Sequence, residues 1–206
     1  MSFTGFTQED FDTFLIEGLE QRMAAIRERI QPKFRAVAEQ VIEELSARTG
    51  QDMHLHIAKH ARRTVNAPVD TWMAVSHNKR GYKQYPHFQV GLFDDQLFIW
   101  LALIYEVADK QRIADTLLAN QRDLYERIPD DYSISIDHMK KAALAKNSLS
   151  PEEFKELFVR FKNVKSAELL IGRVLKADDA VKLGGGLVDV VRDTFAQLTP
   201  IYKVIQ

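Results

Sequence analysis

Apolar residues recur every three or four positions over residues 19–45, which is the stripe of an amphipathic helix. The stripe consists of Leu19, Met23, Ile26, Ile30, Phe34, Val37, Val41 and Leu45. It predicts a helix that ends at Gly50. Pro32 lies inside the stripe, and we expect it to kink or split the helix because proline lacks a backbone donor and clashes with the preceding turn. Upstream, the spacing of Thr7 and Asp10 is that of a capping box, which predicts a short helix from Gln8 to about Gly18.

After Gly50 the hydrophobic period changes to two. Apolar residues alternate with histidine, glutamine or glycine over 53–57 and 87–92, as in half-buried strands. Residues 71–76 form a shorter candidate strand. Residues 97–105 are apolar without interruption, which predicts a central strand buried on both faces. The connections between these strands are too short for parallel crossovers, so we expect four consecutive antiparallel strands.

The second half of the chain alternates helical and strand patterns. Asp109 is placed to cap a helix running to about residue 128, and residues 132–136 and 168–176 predict a fifth and a sixth strand. Ser150, followed by proline and two glutamates, predicts the start of another helix, and the final helix begins at about Leu187.

These elements predict a single α+β domain spanning residues 1–206. We expect a predominantly antiparallel sheet of about six strands, packed by amphipathic helices. Three glycines, 184–186, precede the last helix but lack the lysine and serine or threonine of a phosphate-binding loop. A helix-to-helix turn is therefore the better interpretation of that segment.

Composition excludes several classes of protein. The chain of 206 residues has 46% hydrophobic and 28% charged residues and no cysteine, which excludes disulfides and thiolate metal sites and fits a reducing compartment. The longest apolar run has nine residues, less than half of a membrane-spanning helix. The first fourteen residues lack a signal-peptide pattern. We expect a cytoplasmic protein that does not enter a membrane.

Positive charge is concentrated in one segment. Residues 53–93 contain six basic side chains and one acid, Asp70, and therefore carry +5, whereas the whole chain carries −1. The same segment holds five of the six histidines. A local positive field raises the local concentration of anions, which makes this segment the candidate for function.

Several stretches of the chain resemble one known family. They are residues 56–66 (HIAKHARRTVN), 70–72 (DTW), 78–83 (NKRGYK) and 86–92 (PHFQVGL), together with the Gly-Phe and Asp-Phe pairs near the N-terminus and the segment from Gly18 to Lys33. The sequence is similar to the YktB-like family of uncharacterised bacterial proteins. The resemblance implies a compact α+β domain with an antiparallel sheet packed by helices, and it implies no activity. His54 departs from the family motif, with which only the positions of His56 and His60 are associated.

The basic residues of this segment form a candidate anion site. The candidate residues are Lys59, His60, Arg62, Arg63, Lys79 and Arg80. Arginine's planar fork suits phosphate or carboxylate, and nearby tyrosine and tryptophan rings offer stacking surfaces. The expected partner is a phosphorylated small molecule or a nucleic-acid backbone. The alternative is that these side chains are solvated loop charges, some paired with the protein's own acids.

Two further functions stay open. The chain could be an enzyme that uses His56 or His60 as general acid/base while arginines stabilise developing negative charge. It could also be a non-catalytic domain that binds an acidic protein. His54, His56 and His60 have even spacing and share a strand face if the strand continues unbroken. With no cysteine, few nearby acids and a positive field, we expect neither a metal nor a cofactor.

Overall fold

A computed structural model describes residues 3–206 of the chain. The α-helices of this part are α1 (Gln8–Asp12), α2 (Leu19–Ala25), α3 (Gln31–Thr49), α4 (Lys110–Ala119), α5 (Gln121–Arg127), α6 (Pro151–Asn163), α7 (Ala177–Leu183) and α8 (Leu187–Val204). The strands are β1 (His54–Ile57), β2 (Thr71–Ser76), β3 (His87–Leu92), β4 (Gln96–Leu103), β5 (Ser133–Ser135), β6 (Leu144–Ala145) and β7 (Leu169–Lys176). The α+β class is confirmed.

All seven strands belong to one sheet, in the order β1-β2-β3-β4-β7-β5-β6, and every pairing is antiparallel. The apolar strand β4 lies at the centre, between β3 and β7, as its uninterrupted hydrophobic run predicts. The sheet has one strand more than the expected six because the two-residue strand β6 pairs with β5. The strand expected over 168–176 is therefore the seventh.

The two faces of the sheet are covered differently. Every helix contributes buried residues to one large apolar cluster on one face of the sheet. The other face, called here the open face, carries a smaller cluster to which no helix contributes. Its buried members are Ala58, Trp72, Ala74, Phe93, Phe98, Trp100, Ala102, Ile104 and Leu170. Loops cover the open face, so polar side chains can lie above this smaller cluster.

Residues 19–49 are helical throughout, but the type of helix changes just before Pro32. Pro32 lies in the first turn of α3, and the turn before it, Ile26–Ile30, is π-helical. A kink at Pro32 stays a prediction. Gly50 ends α3 in the left-handed conformation, with φ 74°. The helix at Gln8 is also confirmed, but it ends at Asp12, and Gly18 instead precedes α2.

One predicted helix is interrupted. The segment expected to be a single helix from Asp109 to about residue 128 divides at Asn120 into α4 and α5. Asp109 precedes α4 but makes no side-chain capping bond, since it adopts a left-handed backbone with φ 52°. The amide group of Asn120 instead donates to the carbonyl of Thr116, 2.8 Å away, at the end of α4.

The other predicted boundaries agree with the structure. Ser150 and Glu153 form the reciprocal hydrogen bonds of a capping box at the start of α6. The three glycines form a 3₁₀ turn between α7 and α8. The N-terminal segment packs closely on this turn, since a Cβ added to Gly5 would lie 2.6 Å from Gly184 Cα. No helix within residues 3–206 is long and apolar enough to cross a membrane.

Candidate ligand pocket

A cavity of about 820 Å³ lies over the open face of the sheet. Its walls come from the end of β1 and the loop 58–63, from the segment 81–84, and from His138 and Met139. The side chain of Trp72 belongs to its lining and is 6% exposed. The loops that connect the strands thus enclose a concave site where no helix covers the sheet.

Four of the six candidate anion-site residues line this cavity. They are Lys59, His60, Arg62 and Arg63, and Lys83 joins them from the segment 81–84. Lys79 and Arg80 are exposed and do not line it. The charge pattern of the sequence does not show that Lys83 lines the cavity and that Lys79 does not.

The sheet register places the two basic segments at opposite ends of the sheet. Arg62 and Arg63 lie in the β1–β2 connection, at the same end of the sheet as the turn at Asp94 and Asp95. The segment containing Lys79 and Arg80 lies at the opposite end. Lys83, farther along that connection, lies above the ring of Trp72, 5.6 Å from its centroid.

An aromatic layer underlies the basic residues. The indole N–H of Trp72 donates to the hydroxyl of Tyr82 at 2.9 Å. The ring of His56 lies over Tyr82 with centroids 4.8 Å apart and an interplanar angle of 30°. Burial raises the pKa of Tyr82 to about 12, so its hydroxyl stays protonated at neutral pH.

The basic residues differ in how they are paired. Lys83 lies 3.7 Å from Glu106, which also lines the cavity. Within residues 3–206, no acid lies at ion-pair distance from Lys59, Arg62 or Arg63. The donors of these three side chains therefore stay largely available to a ligand.

The histidines of β1 do not form one continuous row with His60. The side chains of His54 and His56 share the open face, but β1 ends at Ile57. His60 adopts a left-handed backbone with φ 49°, which turns the chain. The condition for a shared strand face thus fails for His60, which reaches the cavity from the loop.

Burial keeps the imidazoles of His56 and His60 neutral at pH 7, although the hydrogen bond of His56 to Asn78 opposes this effect. Nε2 of His56 lies 2.8 Å from the carbonyl oxygen of Asn78, and Nε2 of His60 lies 3.1 Å from Oγ1 of Thr71. Burial lowers the pKa of His56 and lowers that of His60 to about 4, where Arg63 and Lys83 add to the effect. His87, beneath the pocket, also has its pKa lowered to about 4 by burial.

Sequence reasoning missed a histidine–carboxylate pair at the other wall. Nδ1 of His138 lies 2.9 and 2.8 Å from the two carboxylate oxygens of Glu168, and its backbone N–H donates to the same carboxylate at 2.7 Å. The backbone N–H of Tyr105 also donates to Glu168, at 3.3 Å. His138 lies in a loop and Glu168 just before β7, and no local spacing links the two.

The ligand atoms of Asp137, His138 and Glu168 lie within 4.8 Å of one another, close enough to hold a metal ion. The two carboxylates already have partners. Glu168 faces the ring and backbone of His138, and Asp137 accepts from the backbone of Met139 and lies 3.3 Å from the ammonium group of Lys140. We assign no metal to this cluster, and the absence of a metal stays a prediction.

One carboxylate beside the pocket has no hydrogen-bond partner. Asp70 is fully buried, and neither oxygen forms a hydrogen bond within the described residues. Burial raises its pKa to about 6, although His138, Arg63 and Lys83 are near enough to oppose that shift. A buried carboxylate without donors is costly in its ionised form.

Comparison with known proteins gives the family. A model for a domain of unknown function (DUF1054) matches residues 6–202. The chain belongs to this family. It is 53% identical over 205 residues to a UPF0637 protein of Shouchella clausii, covering 99% of this chain and 96% of that protein.

Further relatives match over nearly the same length. A UPF0637 protein of Exiguobacterium sibiricum is 53% identical over 204 residues, covering 98% of this chain and 99% of that protein. A UPF0637 protein of Listeria monocytogenes is 44% identical, with 98% of each chain covered. These are the uncharacterised YktB-like proteins that the sequence resembles, so the comparisons give a family without an activity.

Proposed function

We propose that this protein binds a small, planar, anionic molecule, such as a nucleoside monophosphate, in the cavity over the open face. The observation that carries the proposal is the arrangement of basic side chains above an aromatic layer. Lys59, Arg62, Arg63 and Lys83 supply positive charge, and Trp72 and Tyr82 supply ring surfaces. The volume of about 820 Å³ falls in the range typical of small-molecule sites.

The shape of the site favours a small molecule over a nucleic-acid backbone. A backbone spans many phosphates and needs an extended basic stripe. Lys79 and Arg80 would have to continue such a stripe, but they lie outside the cavity at the other end of the sheet. A ligand that fits inside the cavity contacts Arg62, Arg63 and Lys83 without them.

The chemistry of the cations fits a phosphate group. Arginine can donate two parallel hydrogen bonds to one oxyanion, and such charge-assisted bonds are stronger than neutral ones. Trp72 and Tyr82 are held by their mutual hydrogen bond and by His56, so the ring surface exists before a ligand arrives.

Calorimetric titration with adenosine monophosphate, with inorganic phosphate and with a short DNA duplex tests this proposal. We expect adenosine monophosphate to bind. Arg62→Ala and Arg63→Ala should each weaken its binding about 10-fold, the effect of losing one charge-assisted hydrogen bond of about 1.5 kcal/mol. Lys79→Ala and Arg80→Ala are matched controls, each removing one charge of the same segment, and should bind as the wild type does.

Salt dependence identifies the ligand class. A nucleotide in a pocket should show a shallow dependence, whereas duplex binding should fall with a log–log slope of about −0.9 per phosphate neutralised. Steep salt dependence with equal losses in all four variants would favour nucleic acid. If none of these ligands binds, the basic segment is a solvated surface and the proposal is wrong.

A further inference from the structure

Three imidazoles line the cavity, and they differ in which nitrogen is free. His56 and His60 use Nε2, the atom at the end of the ring, for contacts with Asn78 and Thr71. In each ring only Nδ1, the nitrogen closest to the main chain, is left to contact a ligand. Burial also lowers the pKa of both side chains. Neither is well placed to exchange a proton with a ligand.

His138 has the opposite arrangement. Its Nδ1 faces the carboxylate of Glu168, and its Nε2 has no hydrogen-bond partner within residues 3–206. Because a carboxylate accepts only, Nδ1 carries a proton, and in the neutral ring of this cavity-lining residue the lone pair is on Nε2. The side chain of His138 is 9% exposed, and its ring lies edge-on to Trp72 with centroids 5.9 Å apart. The tautomer and the ring orientation are thus both fixed.

We propose that His138 is a general base and that the cavity hydrolyses a phosphate ester, with Glu168 as the positioning residue. This inference rests on the proposed binding of a planar anionic ligand and adds a reaction to it. A carboxylate that orients an imidazole and stabilises the imidazolium formed during proton transfer is a recurring catalytic arrangement.

The step requires only water and the bound ester. Nε2 of His138 takes a proton from a water molecule, whose oxygen forms a bond to the phosphorus atom. The bond between phosphorus and the leaving oxygen breaks, and that oxygen takes the proton back from Nε2. Nδ1 keeps its proton throughout, and Arg62, Arg63 and Lys83 balance the negative charge that accumulates on the phosphoryl oxygens. The products are the free phosphate and the alcohol.

Release of nitrophenolate from p-nitrophenyl phosphate and bis(p-nitrophenyl) phosphate, in buffer with EDTA, tests the reaction. Both probes combine a planar ring with an anionic phosphate. We expect turnover by the wild type, and a loss in kcat of about 100-fold or more in His138→Gln, the usual contribution of a general base. Glu168→Gln should lower kcat by about 10- to 100-fold with little change in KM, because it orients the base without touching the substrate.

His54→Gln is the matched control, since His54 lies on the same face of the sheet but outside the cavity lining. It should turn over both probes as the wild type does. No turnover by the wild type, or full turnover by His138→Gln, would overturn the inference. Binding of adenosine monophosphate by His138→Gln separates the two proposals. If adenosine monophosphate binds but the wild type does not turn over the probes, the cavity is a binding pocket without this activity. If the wild type does not bind adenosine monophosphate, the proposed function itself is wrong.

Discussion

The indole nitrogen of Trp72 and the hydroxyl of Tyr82 lie 2.9 Å apart, joining β2 to the loop segment that follows it. This bond ties the segment that carries Lys83 to the sheet, and it satisfies the buried indole donor. The aromatic layer of the pocket is therefore attached to a strand whose residues are all buried.

Replacing Tyr82 by Phe should destabilise the protein by about 1–3 kcal/mol, because the indole N–H of Trp72 is left buried without an acceptor. Urea unfolding measures this change. Tyr85→Phe is the matched control, since the Tyr85 hydroxyl makes no hydrogen bond within the described residues. Equal stability of the two variants would mean that water satisfies the indole.

Asp70→Asn should stabilise the protein at neutral pH. Burial raises the pKa of the Asp70 carboxyl from 3.8 to about 6, so its contribution to stability is fully present below pH 3.8 and is lost as pH rises through about 6. The raised pKa of Asp70 corresponds to a change of about 3 kcal/mol in the free energy of unfolding. The free-energy difference between variant and wild type should therefore rise by about this amount between pH 4 and pH 7.5, as measured by urea unfolding.

Asp52→Asn, at an exposed position, serves as the control for loss of one carboxylate. If Asp70→Asn is instead less stable than the wild type at pH 7.5, the ionised carboxylate pairs with Arg63 or Lys83 in solution.

His87 should give the opposite dependence on pH. Burial lowers its pKa from 6.5 to about 4, so its contribution to stability is present above pH 6.5 and is lost as pH falls through about 4. The lowered pKa of His87 corresponds to a change of about 3 kcal/mol in the free energy of unfolding. His87→Asn should cost stability at pH 7.5, because it disturbs the contacts with Tyr85 and Gln89, and the cost should shrink towards pH 4. A cost that is constant with pH would contradict the neutral, buried imidazole.

Gly172→Ala should destabilise the sheet by about 3 kcal/mol or more. A Cβ at this position, opposite Trp100 in the register, would lie 1.9 Å from the carbonyl oxygen of Ile99, and backbone in a central sheet cannot move away. Gly186→Ala is the control, since nothing lies within 4 Å of its Cβ and its φ is −64°. That variant should be neutral or gain about 0.4–1 kcal/mol. Thermal unfolding of both variants tests the comparison.

The sequence predicted most of the sheet, because the alternation of apolar residues and the length of the connections can be read from short stretches of chain. The antiparallel order of β1 to β4 and the central place of β4 follow from such patterns. The division of a helix at Asn120 carried no comparable signal, and neither did the short strand β6. The single domain over residues 1–206 and the cytoplasmic location stay predictions.

The sequence selected only some of the residues that line the cavity, for a physical reason. Lys59, His60, Arg62 and Arg63 follow one strand and reach the cavity together, so charge pattern was enough to select them. The contact between His138 and Glu168 spans 30 residues of chain and depends on how a loop folds over the sheet. Nothing in the local sequence near either residue indicates that contact.

The separation of the two apolar clusters determines what spectroscopy will report. The chain has two tryptophans, Trp72 and Trp100, and both belong to the smaller cluster under the loops. Intrinsic fluorescence therefore reports on the loop-covered layer, whereas far-ultraviolet circular dichroism is dominated by helices on the other side of the sheet. In a cooperative molecule the two signals change at one denaturant concentration. If the fluorescence changes first, the loop layer opens while the helical layer stays folded.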